Sequence, residues 1–172
     1  IYYGIQLLNP SIFLVVSVIV CALISVVTGS SWTTSATVGI ALIGIGNAMG
    51  IPMGMTAGAI LSGAYFGDKM SPLSDTTNLA AAMAGADLFT HIRYMLYTTV
   101  PTLVITLIVF TFISFQMEPT AMVQTDALLG DIKAVFNISP FLFAVPLIVI
   151  ALIVRKTPPL AALLSGTLLG AV

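Results

Sequence analysis

No charged side chain occurs in the first 67 residues; then Asp68, Lys69 and Asp75 arrive within eight positions, in the stretch GDKMSPLSDTTN. A chain this poor in charge has few options. Apolar residues make up 59% of it, charged residues 6%, and the mean hydropathy is +1.14. A water-soluble domain carries about 25% charged residues. This chain cannot cover a water-facing surface, so the sequence predicts that its solvent is lipid. The net charge of -1 gives no basic footprint and argues against nucleic acid. Cys21 stands alone inside an apolar run, which leaves no disulfide framework or Cys/His zinc site, and reads as a small packing residue.

A membrane-spanning helix needs about 20 mostly apolar residues. Residues 11–29 satisfy that, and a second apolar stretch runs from Ala36 to Ile45 after GSSWTTS. The glycine-rich linker GNAMGIPMGM leads to TAGAILSGAYF, residues 56–66, then to the charged stretch and to NLAAAMAGA. A clean span is predicted from Tyr94 to Phe115, with Pro101 near its start, where a helix tolerates proline best. Residues 117–138 are polar and acidic. Within them Leu128, Ile132 and Phe136 share a helical face, as in a helix lying at the membrane surface or packed on neighbouring spans. A further span from Pro140 to Val154 ends at Arg155–Lys156, which the positive-inside rule places in the cytoplasm; the acidic loop is then outside, and His91 and Arg93 inside. The chain begins at Ile1 with no signal-peptide pattern, and its last residues open an apolar segment too short to span. It reads as a piece of a longer membrane protein, completed by the rest of the same polypeptide.

The fold class expected is therefore all-α, a polytopic transmembrane bundle with discontinuous (broken or re-entrant) helices. Residues 1–97 form a segment with two broken helices, the breaks lying near 29–35 and 67–75. Residues 98–172 supply further spans. Residues 56–86 are too many for one straight span and too few for two. Eleven residues from Thr56 to Phe66 cover about half of a 30 Å hydrocarbon core, which sets the second break near the midplane. Charge there costs about 2.5–3.5 kcal/mol on insertion scales, and irregular backbone is tolerated only inside protein or beside a water-filled cavity. The break GSSWTTS can be the tip of a re-entrant hairpin or the unwound centre of a crossing helix. Two interrupted apolar segments with polar breaks point to a transporter binding site.

Sodium is a hard cation that takes oxygen ligands. Ser, Thr and Asn side chains and released carbonyls supply neutral ones, and an aspartate supplies countercharge. A desolvated carboxylate favours its neutral form, so proton and cation compete for it, and that competition is already an antiport mechanism. Asp75, with Thr76, Thr77 and Asn78 after it, is the main candidate, and Na+ at Asp75, Thr76 and Asn78 is the working assignment. Asp68 is the second carboxylate, and Lys69 can be the charge partner of one of the two. Ser71 and Ser74 lie in the same break; Ser31, Thr33 and Thr34 lie in the other. Plainer readings stand beside these. Asp75 can be a helix N-cap, Asp68–Lys69 a surface ion pair, and the hydroxyls around Trp32 can bond back to helix carbonyls. Gly46, Gly50, Gly54 and Gly58, then Gly63 and Gly67, have the spacing of close helix packing. His91 can sense pH or simply sit at the interface with Asp87, near an aromatic belt at Tyr94 and Tyr97.

GSSWTTSATVGIAL followed by GAILSGAYFGDKMSPLSDTTNLA resembles the NhaC-type Na+/H+ antiporters of bacteria, a family that includes malate–lactate antiporters. The resemblance implies a multi-pass secondary transporter of the inner membrane with paired broken helices. It implies no enzyme activity and no cofactor beyond the transported Na+ and H+. It also implies that Asp68, Ser71, Ser74, Asp75, Thr76 and Asn78 fall in the family's signature, with Ser31, Thr33 and Thr34 in the other break. Partners expected are the bilayer, Na+ and H+, with a small organic anion or an amino acid as the alternative cargo and a second copy of the chain as a candidate neighbour. A different class, an intramembrane aspartyl protease, needs two carboxylates facing across a water. Asp68 and Asp75, seven residues apart on one break, fit that poorly.

Overall fold

The computed structural model describes residues 9–116 together with residues 144, 148, 164–166, 168 and 169. The chain divides into two compact units, Ile1–Leu129 and Gly130–Val172. The described residues of the second are helical. The acidic loop 117–138 and the span 140–154 with Arg155 and Lys156 lie outside the described residues, apart from residues 144 and 148.

The first unit is all-helical over its described residues. Helix α1 (Pro10–Thr28) opens with Asn9, whose Oδ1 accepts from the Ser11 amide at 3.1 Å, and with Pro10 in the first turn, where its missing N–H costs nothing. It closes on Gly29 in the left-handed conformation, φ 69°, whose N–H donates to the Ser25 carbonyl. Ser30 then caps a short helix α2 (Ser31–Thr34), which runs through a π-helical turn (Ser35–Gly39) into α3 (Ile40–Ala48). Gly46 near the end of α3 lies against Phe13 near the start of α1. Residues 10–48 therefore form an antiparallel hairpin with its tip at Gly29–Ser30. The break is two residues long, shorter than the expected 29–35, because serine caps and helix-compatible hydroxyls restart the helix at once.

Helix α4 (Met53–Met70) follows the Gly50–Pro52 turn, and α5 (Asp75–Met83) follows a four-residue break, 71–74. At 18 residues, α4 is about 27 Å long. This corrects the expectation that a half-length helix ends at Phe66: the helix continues through Gly67, Asp68 and Lys69, and the half-span arithmetic for a midplane break does not hold. Pro72 disfavours helical backbone at the preceding residue, and the helix stops at Met70. Helix α6 (Leu88–Gln116) has 29 residues and starts earlier than Tyr94, which moves Pro101 into its interior. Asp87 caps it: Oδ2 accepts from the Thr90 amide and hydroxyl, and the first of these bonds chiefly holds its carboxyl below the usual carboxylate range. Helices α1 and α6 are long and apolar enough to cross a membrane.

The centre of the unit is the contact between α1 and α4. They run parallel: Gly63 lies on Val18, and Gly67 lies on Ala22 and Ser25. A methyl at either glycine would overlap the α1 backbone, at 2.9 Å from the Val18 carbonyl carbon for Gly63 and 2.8 Å from the Val26 nitrogen for Gly67. Ser17, Cys21 and Ser25 of α1 are small and buried at four-residue spacing, and Ser25 is among the residues that Gly67 meets. Gly46 packs on Thr56 in the same way. Among the described residues, nothing lies within 4 Å of a methyl at Gly54, and only Phe110, at 3.7 Å, near one at Gly58, so neither glycine is needed there for packing. Phe13, Leu14, Val18, Ile45 and Ile60 fill the core, against which Leu103, Leu107 and Phe110 of α6 pack.

Candidate ion-binding site where the two breaks meet

Because α1 and α4 are parallel and in register, their C-terminal ends arrive at one place. The hairpin tip and the 71–74 break therefore touch. Gly29 sits so close to Leu73 that a Cβ would lie 2.7 Å from the Leu73 carbonyl carbon. The position thus requires glycine twice, for φ and for space. Two hydrogen bonds lock the ends together: Ser25 Oγ donates to the Ala64 carbonyl at 2.6 Å, and Ser71 Oγ donates to the Val26 carbonyl at 2.7 Å.

Asp68 lies at this junction, in the last turn of α4, and is buried at 8% exposure. Ser31 Oγ, from the first turn of the returning arm, donates to its Oδ2 at 3.0 Å. Its Oδ1 is buried and has no partner among the described residues. Buried Thr77 reaches back from α5, its hydroxyl 3.4 Å from both the Asp68 and Lys69 carbonyls. Thr34, also buried, donates to the Ser30 carbonyl at 2.9 Å and lies 3.3 Å from the Thr28 hydroxyl. Ser74 is the N-cap of α5, with Oγ accepting from the Thr77 amide.

The ten expected residues thus split into two sets. Asp68, Ser31, Thr34, Ser71, Ser74 and Thr77 are buried; Asp75, Thr76, Asn78 and Thr33 are exposed. Asp75 is not brought into the buried cluster: its Oδ1 accepts from the Thr76 amide at 2.8 Å. Asn78 clamps the break, its Nδ2 donating to the Pro72 and Ser74 carbonyls at 2.8 and 2.7 Å. Thr33 bonds back to Ser30. Lys69 forms no ion pair among the described residues and lines a groove against α6. His91 stands in the first turn of α6, its amide bonded to the Asp87 carbonyl. Sequence reasoning passed over Ser25 and the Val26 carbonyl. The spacing of Ser17, Cys21 and Ser25 was the available signal for the first; a carbonyl leaves none.

Chemically, one buried carboxylate, hydroxyl oxygens and helix-end carbonyls suit a single monovalent charge. Among the described residues no three His, Cys, Asp or Glu side chains gather as a multivalent metal site would require. The profile of the Na+/H+ antiporter family matches residues 63–172. The chain belongs to that family. It is 44% identical, over its whole length, to a malate-2H+/Na+-lactate antiporter of Bacillus subtilis, and 43% identical over 98% of the chain to the Na+/H+ antiporter NhaC of Alkalihalophilus pseudofirmus. The NhaC of Bacillus subtilis is 40% identical over 95% of it. The chain spans about 37% of the length of each of these relatives. No solved structure matches it. Antiporters of this family are multi-pass proteins of the bacterial inner membrane, and the apolar α1 and α6 accord with that setting.

Proposed function

We propose that the full-length protein is a secondary transporter that exchanges Na+ for H+, and that Asp68 is the carboxylate at which the two compete. The observation that carries this is the unpartnered, buried Oδ1 of Asp68. A buried charge is costly unless it is paired. The Asp68 carboxylate has one hydrogen bond among the described residues, and its own helix points its negative end at it, where anions are disfavoured. A proton or a small cation relieves both terms. With Na+ bound, Ser31 stays a donor to Oδ2, and Oδ1 and neighbouring oxygens ligate the ion. With the ion gone, a proton takes its place on the carboxyl. In this reading the hairpin 10–48 and the α4–α5 pair act as interrupted membrane helices, whose ends move together as the site changes its exposure.

The 44% identity to a malate–lactate antiporter supports a second reading, exchange of an organic acid coupled to the same ions. Both are tested with full-length protein in proteoliposomes, an imposed pH gradient and a pH-sensitive dye. Na+ alone collapses the gradient, Asp68→Asn abolishes that response, and Asp75→Asn retains most of it. A response that requires malate or lactate moves the assignment to the second reading. Loss in Asp75→Asn with activity kept in Asp68→Asn overturns the role given to Asp68.

A further inference from the structure

A groove of about 210 Å³ runs between α4 and α6, on a different side of α4 from the contact with α1. Lys69 enters it from the last turn of α4, one residue after Asp68, and its ammonium has no partner among the described residues. Four hydroxyls line the same groove, and each has already given its proton to its own helix. Ser62 donates to the Gly58 carbonyl at 2.7 Å, Thr102 to Thr98 at 2.7 Å, Thr106 to Thr102 at 2.9 Å, and Thr99 to Met95. What these side chains show the groove is oxygen lone pairs. The remaining walls are the Tyr65 and Phe66 rings and Leu103.

The groove therefore offers one cationic donor, a row of acceptors and apolar walls. A bare carboxylate uses only the first. A metal cation is repelled by the ammonium. A small acid carrying both a carboxylate and a hydroxyl uses all three. Its carboxylate accepts from Lys69, its hydroxyl donates to a threonine oxygen, and its short carbon body lies on Leu103 and the rings. We infer that the α4–α6 groove is a binding site for a small hydroxy carboxylate, distinct from the Asp68 site and separated from it by α4. This goes beyond sodium–proton exchange. It assigns the organic anion of the second reading to residues that the Asp68 cluster does not use, and it sets the two opposite charges on consecutive positions of one helix.

The test is calorimetric titration of purified full-length protein with lactate and with propionate, which lacks the hydroxyl, without ion gradients. Lactate binds, and propionate binds roughly three- to tenfold more weakly, the worth of one neutral hydrogen bond. Lys69→Gln weakens lactate at least tenfold, because a charge-assisted bond is the stronger kind. Thr102→Val keeps the charge and brings the two affinities together, which guards against a Lys69 variant that fails to fold. Absence of lactate binding by the unaltered protein, or unchanged lactate affinity in Lys69→Gln, overturns the site. Equal affinity for lactate and propionate overturns the hydroxy-acid assignment. Neither result touches the sodium response of the gradient assay.

Discussion

Replacing Gly63 by alanine should separate α1 from α4 and lower stability by about 2–4 kcal/mol, the overpacking and hydrogen-bond losses less the helix gain of alanine over glycine. The added methyl meets backbone, not a movable side chain: Val18 carbonyl carbon at 2.9 Å and the Ala22 nitrogen at 3.0 Å. Relief requires the helices to part by roughly 1 Å, and a gap of that size forfeits a quarter to a half of the dispersion energy of the contacts it opens. Overpacking of this kind costs about 1–3 kcal/mol. The same movement takes the Ser25–Ala64 and Ser71–Val26 hydrogen bonds, now 2.6 and 2.7 Å, beyond bonding distance. Each is worth about 1 kcal/mol. Gly54→Ala on the same helix is the control. Its methyl meets nothing within 4 Å, and alanine in a helix gains about 0.5–1 kcal/mol over glycine. Thermal unfolding of the full-length protein in detergent should therefore show Gly63→Ala falling well below the unaltered protein and Gly54→Ala at or above it. Equal midpoints for the two variants would refute the parallel α1–α4 contact on which the site depends.

Ser31→Ala removes the hydrogen bond that holds Oδ2 of Asp68 in place, so the carboxylate is no longer oriented for the ion; the Na+ concentration for half-maximal exchange should rise roughly tenfold, from about 1.5 kcal/mol for a bond to a charged group. An unchanged value would detach Ser31 from the ion site. Asn78→Ala loses the clamp on the Pro72 and Ser74 carbonyls. The thermal midpoint should drop by an amount equivalent to about 1 kcal/mol, with exchange retained. Asp87 is held below its ordinary range by the Thr90 bonds. The sign follows: its contribution is present above the unfolded carboxylate pKa of about 4 and is lost as pH falls through the lower folded value. The difference in thermal midpoint between unaltered protein and Asp87→Asn should shrink on going from neutral pH to below about 4. A difference that grows on acidification would remove Asp87 as the α6 cap.

Charge and hydroxyls in an apolar chain have few structural excuses, and helix ends fall within both polar stretches, at Gly29–Ser30 and after Met70. The extent of the breaks was not legible. Gly67, Asp68 and Lys69 read as interruption, yet all three are compatible with helix once Gly67 faces α1 and Asp68 faces Ser31. The ranking of the aspartates was not legible either. Burial of Asp68 depends on partners 37 and 45 residues away across the junction, Ser31 on Asp68 and Val26 on Ser71. No local pattern around GDKMSPLSDTTN encodes those distances. The facing stripes did carry a trace of it: Ser17, Cys21 and Ser25 on one helix, Gly63 and Gly67 on the other.

The two aspartates make opposite demands on the fold, and that difference can be measured without any transport. Asp75 is exposed, in the first turn of α5, where the helix dipole favours its charge. Asp68 is buried, in a last turn, beside the C-terminal end of the parallel α1, with Ser31 as its single side-chain donor among the described residues. A site shaped for an exchangeable ion is not shaped for stability when empty. Asp68→Asn keeps the side chain's size and cannot carry a charge, so in sodium-free buffer it should unfold at or above the temperature of the unaltered protein. Na+ should raise the midpoint of the unaltered protein, by about 2.7 kcal/mol of stability at a hundred times its dissociation constant, and should leave Asp68→Asn where it was. Asp75→Asn should behave in reverse, with a lower midpoint in sodium-free buffer and a full response to Na+. A sodium shift that persists in Asp68→Asn and vanishes in Asp75→Asn would mean that the ion binds on the exposed side of the break, and that the role of Asp68 is structural alone.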